Sequence, residues 1–142
     1  MASHERIFVI ESDQVIRSAL GFILSEDRET FTFSEIDDAL AKADQFRPDV
    51  VLLGLGLIER HGAELVADLV GQLPCSSIIL VANSASAPLV QDGLHHGARA
   101  VISKPISFDG VRGKVDSVLA ARPSGSGLGG AAPTIVSTQL NR

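Results

Sequence analysis

The sequence predicts an α/β protein built on a doubly wound, five-stranded parallel sheet. Short β-branched runs alternate with longer segments whose apolar residues recur every three or four positions. Two of the runs, Val50-Val51-Leu52-Leu53 and Ile78-Ile79-Leu80-Val81, are apolar at every residue. A strand without alternation is covered on both faces, which puts these two in the middle of a parallel sheet with helices on either side. The length agrees: 142 residues suit one domain that buries about 68% of its unfolded surface.

In chain order, Arg6 to Ile10 is the first strand, and Ser12 or Asp13 caps a helix whose apolar stripe includes Ile16, Leu20 and Ile23. Thr30 to Phe33 is a weaker second strand. Asp37 or Asp38 opens a short helix carrying Ala39, Leu40 and Ala43, and Arg47-Pro48-Asp49 stops it before the run at Val50. Gly62 to Leu73 brings Leu65, Val66, Leu69, Val70 and Leu73 onto one helical stripe, which Pro74 ends. After the strand Ile78 to Val81 come a fourth helix, Pro88 to His96, and a fifth strand, Ala100 to Ser103. Phe108, Val111, Val115, Val118 and Leu119 form a final amphipathic helix ending near Arg122. Five strands alternating with five helices place ligand sites beyond the carboxyl ends of the strands. The domain spans 1–122. Residues 123–142 open with PSGSGLGGAAP, too poor in apolar side chains to offset chain entropy, and read as a flexible linker with a frayed, mildly β-prone end at Thr134 to Leu140.

Composition narrows the function. Seventeen acidic against twelve basic residues give a net charge of -5, which argues against a nucleic-acid or membrane-surface partner. With six Phe and no Tyr or Trp the chain offers little for base stacking. A single cysteine, Cys75, allows no internal disulfide or multi-cysteine metal site and reads as an inert residue in a turn. The opening MASHERIFVI has no apolar signal region, and the apolar stretch Val50 to Ile58 is half a membrane span at most. These features predict a soluble, cytoplasmic protein.

The strand ends supply Glu11-Ser12-Asp13, Gly54-Leu55-Gly56, Ala82-Asn83-Ser84 and Lys104-Pro105. The phrases RIFVIESD, RPDVVLLGLGLIERHG, SIILVAN and GARAVISKP, in that order over roughly residues 5 to 121, resemble the receiver domain of bacterial response regulators, the CheY-like, flavodoxin-like (βα)5 fold. The resemblance implies a role for each strand end. In receivers, two acids after the first strand and an aspartate ending the third hold Mg2+, and that aspartate takes a phosphoryl group from a histidine kinase. A Thr or Ser ending the fourth strand and a Lys before a cis-Pro after the fifth bind the phosphoryl oxygens. A hard cation wants oxygen ligands, and a transferring phosphoryl group wants cationic and hydroxyl partners.

Carried onto this chain, the pattern holds unevenly. Glu11 keeps the first acid with one more methylene, Ser12 replaces the second, and Gly54 stands at the phosphoacceptor position. The hydroxyl position falls on Ala82, with Ser84 the nearest substitute. Val101 replaces the aromatic residue whose rotation reports phosphorylation, and only Lys104 with Pro105 is retained. The resemblance therefore implies a degenerate pocket with no catalytic residue. One acid against one lysine predicts a constitutive Glu11 to Lys104 contact and weak or absent Mg2+ binding, Glu11 being the one candidate ligand.

Plainer readings compete. Gly54 serves turn geometry or lets an accessory group approach the backbone, and the glycines at 54 and 56 form a weak dinucleotide signature in the wrong context. Lys104 is a surface lysine beside a tight turn, Glu11 and Asp13 favour a helix N-terminus, His61 is a solvated loop histidine, and His95-His96 complement a helix C-terminus. The leading expectation is a non-enzymatic module of two-component, phosphorelay signalling that works by protein–protein interaction without aspartyl phosphorylation. Its partner is a histidine kinase, another regulator, or a second copy, docked on the face of the fourth helix, fifth strand and fifth helix. The alternatives are a small-molecule sensor using the vacated pocket and a receiver phosphorylated elsewhere, at Ser12 or Ser84.

Overall fold

The computed structural model describes residues 5–122, so the linker and tail expected over 123–142 lie outside the described residues. The chain runs β1 (Arg6–Ile10), α1 (Gln14–Leu24), β2 (Glu29–Phe33), α2 (Ile36–Ala43), β3 (Val50–Gly54), α3 (Leu55–His61), α4 (Glu64–Gln72), β4 (Ser77–Ala82), α5 (Pro88–His95), β5 (Ala100–Ser103) and α6 (Phe108–Ala120). All five strands pair in parallel in the order β2-β1-β3-β4-β5. The continuous apolar runs explain the layering: successive strand residues point to opposite faces. Val50 and Leu52 of β3 enter a layer with Leu20 and Ile23 of α1 and Val111 and Val115 of α6. Val51 and Leu53 enter the other layer, with Ala39 of α2, Leu57 of α3, Leu69 of α4 and Val90 of α5. The fold is the doubly wound α/β sheet that the sequence predicts, and its strand order reverses between β1 and β3, where a crevice opens.

One open alternative is settled and two local expectations are corrected. Asp13, not Ser12, caps α1: its Oδ1 accepts from the amides of Val15 at 2.9 Å and Ile16 at 3.1 Å. Helix α2 begins at Ile36, so Asp37 and Asp38 fall in its first turn, where a carboxylate complements the positive helix pole. The helix expected from Gly62 to Leu73 is α4 alone, and a sixth helix, α3, precedes it. Seven residues opening Leu-Gly-Leu are too few to display a helical period, and tertiary packing makes this helix: Leu57 and Ile58 are fully buried. Gly62 separates α3 from α4 at φ 90°, a left-handed conformation that glycine adopts without Cβ strain. Among the described residues, no helix is long and apolar enough to cross a membrane.

Candidate functional site

Beyond the carboxyl ends of β1, β3, β4 and β5 lies a cleft of about 220 Å³. Of the strand-end residues singled out in the sequence it gathers Glu11, Ser12 and Asp13, Leu55 and Gly56, Ala82 and Asn83, and Lys104. The register explains the convergence. Ile10 pairs with Leu53, which sets Glu11 beside Gly54, and Ala82 pairs with Ser103, next to Lys104. The Lys104 amide donates to the Ala82 carbonyl at 2.9 Å, and the Lys104-Pro105 peptide is cis.

Glu11 is the unusual member. It is 5% exposed, and its Oε2 accepts a hydrogen bond from the Asp13 amide at 3.0 Å. The side chain turns back over Gly54: a Cβ at position 54 would lie 2.6 Å from Cδ and 2.8 Å from Oε2 of Glu11, closer still to Oε1. Gly54 has φ -69° and ψ 139°, which any residue adopts, so turn geometry does not call for glycine there. Space does. The accessory group that approaches the backbone is the chain's own carboxylate, held by a charge-assisted bond and lying beside the N-cap residue of α3, which has no side-chain cap of its own.

The expected Glu11 to Lys104 contact is not formed: among the described residues no ion pair joins them. A carboxylate drawn onto an amide in the interior gains more than one reaching to a partly exposed lysine, since an exposed pair contributes about 0–1 kcal/mol. Lys104→Met is accordingly expected to change stability by less than about 0.5 kcal/mol in urea denaturation. A loss of about 1.5 kcal/mol or more would mean that the pair exists in solution.

Sequence reasoning missed Glu59, which also lines the cleft. Glu59 is carried in by α3, the helix whose period was too short to read. The structure does not bring Ser84 in. Its Oγ lies 3.0 Å from Ser86 Oγ in the loop after β4. Val101 and Pro105 line a separate cleft of about 190 Å³ between β5 and α6. His61 is the last residue of α3 rather than a loop residue, and His96 Nδ1 lies 2.8 Å from the Asp92 carbonyl at the end of α5.

The response regulator receiver domain family matches residues 7–116. The chain belongs to this family. The receiver is 34% identical to the transcriptional regulatory protein KdpE of Mycobacterium tuberculosis, over 72% of this chain and 46% of that protein. It is 25% identical to the chemotaxis protein CheY of Listeria monocytogenes, over 75% of this chain and 91% of that one. A response regulator crystal structure from Thermotoga maritima superposes with a TM-score of 0.76 at 13% identity, covering 84% of this chain and all of that one, a likeness of fold. The chain spans about half the length of the transcriptional regulators it matches.

Membership raises the question of Mg2+, and the residues do not fit it. The ion demands near-octahedral oxygen ligation. The Glu11 carboxylate is turned onto Gly54 and the Asp13 amide, and Asp13 Oδ1 is committed to the α1 cap. Among the described residues no group of three or more His, Cys, Asp or Glu is placed to hold a metal.

Proposed function

We propose that this receiver acts in two-component signalling as a binding module that is not phosphorylated on an aspartate. The observation that carries the reading is the Glu11 carboxylate seated where a side chain at position 54 would begin. Phosphoryl transfer to a carboxyl group needs a nucleophile at the strand tip and partners for the spreading negative charge. Gly54 has no functional group, Ser12 carries no charge, and Ala82 offers no hydroxyl. Lys104 remains as one cation without an acceptor to serve. On this reading the chain is not an enzyme, binds Mg2+ weakly or not at all, and works in the cytoplasm.

Its partner is a protein: a histidine kinase, another regulator, or a second copy docked on the face of α5, β5 and α6. Val101, at the position of the family's aromatic switch, is partly buried against the core on the α5 side of the sheet, and valine has no ring to rotate. The face then keeps one state unless a partner selects another. A metabolite entering the space of the missing side chain has to displace the Glu11 carboxylate first, which disfavours the sensor reading for this cleft. Ser12, exposed and lining the cleft with Lys104, is better placed than Ser84 for the rival modification.

The test is intact-mass spectrometry after incubation with acetyl phosphate and Mg2+. No one-phosphate mass gain is expected. A stoichiometric gain overturns the proposal, and mapping it to Ser12 establishes the rival.

A further inference from the structure

A cavity of about 380 Å³ lies at the opposite end of the sheet, below the amino ends of β3 and β4. That volume falls within the range of about 300–1,000 Å³ common to small-molecule sites. It is lined by Asp49, Cys75, Ser76, Ser77, Arg99 and Arg122, together with Pro74. Asp49 is already committed: Oδ2 accepts from the Arg6 amide at 2.8 Å and Oδ1 from Arg122 Nη1 at 2.9 Å. Arg122 is held over the cavity through one nitrogen, leaving the rest of its fork. The Arg99 backbone is fixed by its amide on the Ile78 carbonyl at 2.7 Å, while its guanidinium has no hydrogen-bond or ion-pair partner among the described residues. Two cations against one committed anion leave an uncompensated positive charge in a concave site, on a chain whose net charge is -5. A concavity focuses that field on small anions.

We propose that this cleft binds a small metabolite bearing phosphate or carboxylate groups, gripped between Arg99 and Arg122. Paired guanidinium forks are the side-chain arrangement that matches planar or tetrahedral oxyanions. The site stands apart from the acidic cleft and does not rest on the reading of Gly54. Arg99 directly precedes β5, and Arg122 closely follows α6. An anion bridging them ties together two of the three elements of the docking face and gives that face an input unrelated to phosphoryl transfer.

The experiment is thermal unfolding of the full chain in rising inorganic phosphate or citrate, against sodium chloride at matched ionic strength. A saturable rise in Tm is expected with phosphate, citrate or both, since a ligand of the native state stabilises by mass action. The arm that responds names the oxyanion. Arg99→Gln, which touches no structural partner, is expected to keep its Tm in chloride and to bind at least tenfold more weakly. Amide NMR shifts at Ser76, Ser77 and Arg99 locate the site in the parent protein. Equal rises in chloride, no rise at all, or full binding by Arg99→Gln overturns the proposal.

Discussion

Gly54→Asp is expected to leave the receiver unlabelled by acetyl phosphate and Mg2+, and to destabilise it by about 1–3 kcal/mol, the range for forcing extra atoms into an occupied space. Restoring the acceptor side chain does not restore its surroundings. The new Cβ meets the Glu11 carboxylate, which must swing away and give up the Asp13 amide. Two carboxylates then crowd one strand end without a metal to reconcile them, and like charges at that distance disfavour ionisation of both. Ser12 still offers no charged ligand and Ala82 no hydroxyl. A double-mutant cycle isolates the steric part. Gly54→Ala alone is expected to destabilise, and the penalty is expected to shrink in a Glu11→Ala background, with a coupling of about 0.5–3 kcal/mol. Urea denaturation measures the cycle and intact mass the labelling. Strong labelling of Gly54→Asp, or zero coupling between positions 11 and 54, contradicts the seat assigned to Glu11.

How much of this was legible from the sequence follows from range. The strands were readable because their signal is local: four consecutive aliphatic residues at 50–53 and again at 78–81 leave little but a central parallel strand. The family resemblance placed Glu11, Gly54, Ala82 and Lys104 at strand tips, and the structure sets Glu11, Ala82 and Lys104 around one cleft with Gly54 beneath the Glu11 carboxylate. The direction in which Glu11 points was not readable. Formal charge pairs it with Lys104, but the choice depends on the β1–β3 register, which puts a residue without a Cβ beside it, and on an amide two residues on. Helix α3 and its Glu59 were missed because Leu57 and Ile58 are helical through contacts with distant residues rather than through period.

The largest loss of stability is expected at Phe8. This residue of β1 is fully buried and meets Phe33 at a centroid distance of 4.9 Å and Phe31 edge-on at 5.8 Å. Phe31 in turn lies 5.6 Å from Phe46, and Lys42 sits over both of those rings while Arg6 covers Phe46. The cluster matters because β2 has only partial burial and, among the described residues, is an edge strand that pairs with β1 alone. Its aromatic faces add to its ladder in fastening it to the sheet. Phe8→Ala removes the shared member and is expected to cost about 3–5 kcal/mol, cavity included. That is a large share of the roughly 5–15 kcal/mol that holds a domain folded. Phe8→Leu, keeping most of the volume, is expected to cost about 1.5 kcal/mol or less. Because the Glu11 amide donates to the Phe33 carbonyl at 2.9 Å, loosening β2 also loosens the root of the Glu11 side chain. Hydrogen exchange at the Glu11 and Asp13 amides of Phe8→Leu is therefore expected to quicken more than exchange in β4. Unchanged exchange at those two amides would show that the acidic cleft is held by β3 alone.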